Sequence, residues 1–206
     1  MVDDDPHVVK AMARLLRSEG WNTRCYSSAS EFLSDHDDAV PGCLILDLLM
    51  PGMTGLDLQR ELTSRGRCRP IIFLSGRGDV PSSVAAMKFG AVDFLTKPVD
   101  GRILLETVER AVERDAGQRA AADRMRTLGE RLSSLTIRER QVVDGVVAGL
   151  LNKQIAGKLG IVEKTVKVHR ARAIAKLGAR STADLVRIVE GAAGNDMHRE
   201  SGMPVV

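Results

Sequence analysis

The spacing of apolar and polar positions changes character once along this chain, near residue 110. Before it, short apolar runs bounded by turn residues alternate with stretches of helical period. The runs lie at residues 43–46, 71–74 and 92–95, with a weaker one at 22–26. Between them Val8, Met12, Leu15 and Leu16, then Leu56, Leu58 and Leu62, then Val84, Ala85, Met87 and Lys88 form the periodic segments. This alternation predicts a doubly wound parallel sheet with helices packed on it. Strands apolar at nearly every position suit places buried on both faces.

Residues 101–128 continue as helix, rich in Ala, Arg and Glu, with Gly117 and Gly129 as expected breaks. Its apolar positions sustain no heptads, so a solvated spacer is favoured over a coiled-coil seam. From residue 133 the pattern is purely helical. Thr136 and Glu139 have capping-box spacing and open a helix bearing Val142, Val143, Val146, Val147 and Leu150. Asn152 opens a short helix through Ile155, Ala156 and Leu159, stopped by Gly160. Residues 163–177 make a third helix, closed by Gly178. Ser181-Thr182-Ala183-Asp184 caps a fourth, with Leu185, Ile188 and Val189. The tail from Gly191 contains Gly, Asn and Pro and is expected to be disordered. The resulting division is a domain at 1–112, a helical linker at 113–130, a helical domain at 131–192 and a disordered tail at 193–206.

Composition narrows the class. At 206 residues the chain has room for two small domains. No apolar run reaches the roughly 20 residues that span a bilayer, and no secretory leader pattern opens the sequence. No membrane role is expected, and the cytoplasm is the expected location. Cys25, Cys43 and Cys68 are scattered, without disulfide or metal spacing, and read as free thiols in a reducing compartment. The net charge of +3 is unevenly spread: residues 1–110 sum to −3 and residues 130–192 to +6. The positive excess in the last third could meet phosphate.

Candidate chemistry sits in two segments far apart. Asp3, Asp4 and Asp5 follow Val2, and Asp47 ends the apolar run at 43–46. Acids at the carboxyl ends of parallel strands crowd one crevice. An all-oxygen cluster of that kind needs a cation and suits Mg²⁺. The acids at 3–5 could equally serve as a helix N-cap. Lys97 alone would read as a surface lysine, and Phe94 alone as core.

Four segments in order resemble the receiver domain of bacterial two-component response regulators: VDDDP at 2–6, LILDLLMPGMTG at 44–55, IIFLSGRGD at 71–79 and DFLTKPVD at 93–100. The resemblance implies a flavodoxin-like α/β receiver in which Asp47 is the phosphoacceptor. Asp3, Asp4, Asp47 and the Leu49 backbone carbonyl would hold Mg²⁺. Ser75, Phe94 and Lys97 would sense the phosphoryl group, and the Lys97–Pro98 peptide would be cis. Such domains start with a full central strand, whereas only Met1 and Val2 precede the acids here, so the first strand reads as truncated. Leu49, two residues past Asp47, offers no hydrogen bond to position an attacking water, and Arg77, two past Ser75, is not expected to act as a base, so slow dephosphorylation is expected.

Residues 133–192 resemble the four-helix, helix-turn-helix domain of FixJ/NarL (LuxR-type) regulators, through LTIRERQVV at 135–143, NKQIAGKLGI at 152–161 and EKTVKVHRARAIAKLGA at 163–179. The run GRGDVPSSVAAMKFGAVDFLTKP points to the FixJ-like subgroup. On the third helix Val166, Ala173 and Leu177 share one stripe and should pack inward. Lys164, Thr165, Lys167, Val168 and Arg172, with Lys153 from the preceding helix, are the expected DNA contacts. Lys167 suits a base edge or a phosphate, and Val168 a thymine methyl. Arg170 falls near the buried stripe and is given a flanking phosphate or salt-bridge role. His169 fits a structural role as well as a functional one.

The implied function is a transcription factor switched by phosphorylation from a sensor histidine kinase. Its implied partners are promoter DNA, a second copy of the chain joined through residues 80–96, and RNA polymerase. It is not read as an enzyme beyond assisting its own phosphoryl transfer. A phosphatase using Asp47 as nucleophile would need a proton donor at position 49, where Leu49 stands. A regulator that senses a small molecule would need an apolar pocket, which an aromatic content of 3% disfavours.

Overall fold

The computed structural model describes residues 1–66, 69–76 and 80–200, with backbone alone for 193–200. The chain forms two compact units, Met1–Arg119 and Ala120–Val206. Cys68 and Arg77 lie outside the described residues.

In the first unit three parallel strands, β1 (Leu44–Asp47), β2 (Ile71–Ser75) and β3 (Asp93–Thr96), pair in that order. Helices α1 (Pro6–Ser18), α2 (Ala29–Asp35), α3 (Gly55–Ser64), α4 (Val80–Lys88) and the part of α5 (Gly101–Ser133) up to Arg119 accompany them. Successive strand residues point to opposite faces. Leu44, Leu46 and Phe73 therefore join Phe32, Leu58, Leu62 and Ala86 in one core. Ile45, Ile72 and Leu74 meet Leu16, Leu104, Val108 and Ala111 in the other. All of β1 and β2 is buried, as their unbroken apolar runs require.

The sheet is extended beside β1 by a single residue. Val2 forms parallel bridges to Tyr26 on one side and Leu46 on the other. Its N–H donates to Ile45 O, and its carbonyl accepts from Asp47 N–H, each at 2.9 Å. Residues 22–26 are thus no strand, contrary to the apolar pattern. Only Tyr26 pairs, because its neighbour supplies a single rung. Beyond Val2 a cavity of about 330 Å³ opens, walled by Trp21, Tyr26, Phe32, Cys43 and Ile45. The chain therefore does contain an apolar pocket despite its few aromatic residues.

Helix α5 differs from expectation at both glycines. It runs unbroken from Gly101 to Ser133, and neither Gly117 nor Gly129 takes the positive φ that would end it. An interior glycine costs a helix only about 1 kcal/mol, and the surrounding Ala, Arg and Glu carry it through. The packing of the first unit extends past residue 112. The buried Asp115 accepts from Gly42 N–H (2.9 Å) and Arg119 Nε (2.7 Å). Arg119 in turn donates to the carbonyls of Asp38, Ala39 and Val40.

The second unit contains α6 (Ile137–Val147), α7 (Asn152–Leu159), α8 (Glu163–Leu177) and α9 (Thr182–Glu200). Their shared core includes Val142, Val143, Ile155, Val166, Leu177 and Leu185. Thr136 and Glu139 form the capping box that starts α6. Gly160 and Gly178 close α7 and α8 in the left-handed conformation. The backbone of α9 runs as far as Glu200, beyond the boundary drawn at 192. Gly191 has no left-handed φ to stop it, and Ala192, Ala193, Met197, Arg199 and Glu200 favour helix. Residues 201–206 of that tail lie outside the described residues.

Candidate functional site

The acids at 3–5 divide between two tasks. Asp5 is the N-cap of α1, accepting from His7 N–H (2.8 Å) and Val8 N–H (3.4 Å), and these bonds hold its carboxyl below the usual range. Asp3, one rung past Val2, is buried and faces Asp47 across one cation. Lys97 Nζ donates to Asp3 Oδ2 at 2.7 Å and to Asp47 Oδ1 at 2.6 Å. Asp4 is exposed. Strand register brings these groups together: Val2 beside Leu46 aligns Asp3 with the end of β1, and β3 delivers Lys97 past Thr96. The Lys97–Pro98 peptide is cis, and Lys97 N–H donates to Ser75 O at 2.7 Å.

Asp47 is 6% exposed. Burial pushes its carboxyl above the usual range, because the charged form loses water, although the hydrogen bond and the charge of Lys97 pull the other way. For Lys97 burial works against the charge, yet its bonds to Asp3 and Asp47 and their charges prevail and raise it. Leu49 N–H donates to Asp47 Oδ2 at 2.7 Å, while the Leu49 side chain lies exposed. Ser75 is buried at the end of β2. Phe94 is half-buried against the core, its ring stacked 6.2 Å from that of Phe73. Among the described residues no three His, Cys, Asp or Glu side chains form a ready metal cage. Two carboxylates that already converge on one cation nevertheless fit Mg²⁺, which keeps several waters and takes few protein ligands.

Gly55 was not singled out from the sequence. A Cβ there would stand 2.2 Å from Asp47 O and 3.0 Å from Phe73 Cε1. The start of α3 thus packs directly on the backbone of Asp47. The motif PGMTG held the signal, but not the contact.

In the second unit α7, the turn at 160–162 and α8 form a helix-turn-helix. Val166, Ala173 and Leu177 are buried. Lys153, Lys164, Lys167 and Arg172 are exposed, as is Val168, and Thr165 is half-buried. Lys167 has a loose contact to Glu163 at 3.5 Å. Arg170 turns back to Asn152 Oδ1 at 3.2 Å, so its partner is an amide on α7 and not an acid. His169 is half-buried, with Nδ1 unpartnered. A further ion pair escaped the sequence reading: Lys176 Nζ donates to the buried Glu139 at 2.6 Å and to Ser134 O at 2.9 Å. That pair, with the Thr136 backbone, holds the Glu139 carboxyl down at about 2.

The family model "Response regulator receiver domain" matches residues 1–109, and "Bacterial regulatory proteins, luxR family" matches residues 133–189. Among similar proteins, response regulator protein TodT of Pseudomonas putida (strain F1) is 48% identical over 190 residues, 92% of this chain and 84% of that protein. Transcriptional regulatory protein FixJ of Rhizobium meliloti (strain 1021) is 43% identical over 188 residues, 91% and 92% of the two chains. The solved structure of response regulator StyR superposes with a TM-score of 0.87 at 45% identity, covering 92% of this chain and 96% of that one. With a carboxylate crevice in one unit and a helix-turn-helix in the other, the chain belongs to the FixJ/LuxR-type response regulators, two-component proteins that regulate transcription through DNA.

Proposed function

We propose that a sensor histidine kinase phosphorylates Asp47, and that the phosphorylated chain dimerises and binds promoter sequences through α8. One observation carries this reading: two buried carboxylates, Asp3 and Asp47, converge on Lys97 Nζ. An oxygen of Asp47 attacks the phosphorus, and the bond from phosphorus to the donor's histidine nitrogen breaks. The new group brings about −1.5 to −2 charges. Lys97 follows that charge, and the Ser75 hydroxyl donates to a phosphoryl oxygen. Asp3, Asp4 and Asp47 with the Leu49 carbonyl would hold Mg²⁺, which neutralises the phosphoryl oxygens when bound. Leu49 supplies no proton acceptor for hydrolysis, which supports a long-lived phosphoryl group.

Dimerisation is supported by α4, where Val80, Val84 and Met87, with Phe89 just beyond it, leave large apolar side chains exposed. We assign residues 1–112 to the phosphoacceptor domain and 131–192 to DNA binding, with 113–130 between them, of which Asp115 and Arg119 still pack on the first unit. The protein acts where promoter DNA and RNA polymerase are found, in the cytoplasm.

The test is treatment with acetyl phosphate and Mg²⁺ followed by intact-mass measurement. The parent chain gains one phosphoryl group. Asp47→Asn keeps the shape but not the nucleophile, and gains none. Undiminished labelling of that variant overturns the assignment.

A further inference from the structure

Helix α3 touches the backbone of Asp47 at its start and α4 one turn later. Gly55 abuts Asp47 O, and its N–H donates to Leu48 O at 3.0 Å. Leu49 N–H donates to Asp47 Oδ2 at 2.7 Å. The backbone at 47–49 is therefore bonded both to the Asp47 carboxylate and to the first turn of α3.

One turn along, on the same face of the helix, Gln59 is buried. Its Nε2 donates to Ala86 O (3.1 Å) and Phe89 O (3.2 Å), at the C-terminal end of α4. Carbonyl oxygens only accept, so the amide nitrogen must be the atom that faces them. An apolar side chain of the same size would fill this space without direction. The amide instead fixes where the end of α4 sits. Beside it the exposed Arg60 sets its guanidinium over the Phe89 ring, 5.4 Å from the centroid. Both residues thus hold the segment around Met87 and Phe89, whose apolar side chains are exposed.

We propose that α3 carries the state of Asp47 to the C-terminal end of α4, with Gln59 as the positioning residue and Arg60 assisting it. The proposal rests on Asp47 being the phosphoacceptor. In the acyl phosphate neither oxygen of Asp47 itself keeps the carboxylate charge. Leu49 N–H then loses a charge-assisted bond, the stronger kind, and the backbone at 47–49 shifts. Gly55 has no space to absorb that shift, so α3 moves with it. Gln59 and Arg60 pass the movement to Ala86 and Phe89. Ser75 and Phe94 lie on β2 and β3, and Lys97 just past β3, so this route is separate from theirs.

The experiment uses the full chain, labelled with acetyl phosphate and Mg²⁺ and followed by intact mass, at a concentration where sedimentation shows monomer. Hydrogen exchange of the amides at 84–90 is compared with and without the label. In the parent chain labelling should change that exchange about fivefold or more, the ordinary size of coupling between sites. Gln59→Met keeps the length of the side chain but cannot donate. It should take the label as the parent does and lose the change at 84–90. A merely structural role would alter exchange alike in both states and leave their ratio as it was. Arg60→Ala, an exposed substitution, should reduce the ratio about twofold, and it decides alone if the methionine variant does not fold. A parent that takes the label without a change at 84–90, or a ratio equal to the parent's in either variant, overturns the coupling and leaves Asp47 as phosphoacceptor. A parent that takes no label overturns both.

Discussion

Gly55 has no Cβ because the carbonyl of Asp47 occupies that space, 2.2 Å from where one would lie. The obstacle is backbone, which cannot swing aside as a side-chain tip does. Gly55→Ala should therefore cost about 1–3 kcal/mol, the range for overpacking. It should also slow labelling of Asp47, since β1 and α3 must part at the reacting residue. Urea denaturation and the rate of acetyl phosphate labelling measure the two effects, and a variant unchanged in both would count against this contact. Glu139 sets a pH dependence at the same scale. Its folded value of about 2 lies below the ordinary 4.5, held there by Lys176 and the Thr136 backbone. A depressed acid contributes stability that is complete above its unfolded value and is lost as pH falls toward the folded one. The helix-turn-helix unit should thus lose stability between about pH 4.5 and 2. Glu139→Gln should flatten that decline, as followed by circular dichroism during denaturation.

Among the elements, α5 gives the clearest case of a local signal overridden by its surroundings. Gly117 and Gly129 invite a break, yet both take helical angles, and a Cβ added at either would meet nothing within 4 Å. Where the space is open and the angles already helical, alanine removes the entropy that glycine loses on folding. Gly117→Ala should stabilise α5 by about 0.5–1 kcal/mol. A rise in thermal midpoint with unchanged labelling of Asp47 is the expected result; a fall would mean that the glycine serves a bend. Helix α8 keeps its two faces apart: Val166, Ala173 and Leu177 inward, with Lys164, Lys167, Val168 and Arg172 toward solvent. Arg170, bonded to Asn152, braces α8 on α7.

For the whole molecule the distribution of charge matters more than its sum. Residues 1–110 carry −3, and residues 130–192 carry +6. A fragment beginning near Met125 keeps the positive unit and discards the negative one, so it should bind promoter DNA without phosphorylation. Its affinity should fall steeply with salt, because each phosphate contact releases counterions. In the same gel-shift titration Lys167→Ala should weaken binding, unequally among half-site sequences if Lys167 reaches a base. Equal affinity of fragment and unphosphorylated full chain at one salt concentration would exclude restraint by the receiver and leave dimerisation as the switch.

The sequence alone determined the features that arise from neighbouring residues. The unbroken apolar runs specify β1 and β2, because a strand buried on both faces has no polar position to spare; β3, only half-buried, carries Asp93 and Thr96. Thr136 with Glu139, and the glycines at 160 and 178, set the ends of the second unit's helices, because caps act within one turn. The motif order at 2–6, 44–55, 71–79 and 93–100 was enough to nominate Asp3, Asp47 and Lys97. Only the tertiary structure decided which acid does what. Asp5 caps α1 while Asp3 meets Lys97, a contact between residues 94 positions apart that depends on Val2 pairing with Leu46. It also decided that residues 22–26 make one rung instead of a strand, since a strand needs a partner as long as itself. Gly55 against Asp47, Glu139 with Lys176, and Gln59 with Ala86 and Phe89 were illegible for the same reason: each is a meeting of segments that packing alone brings together.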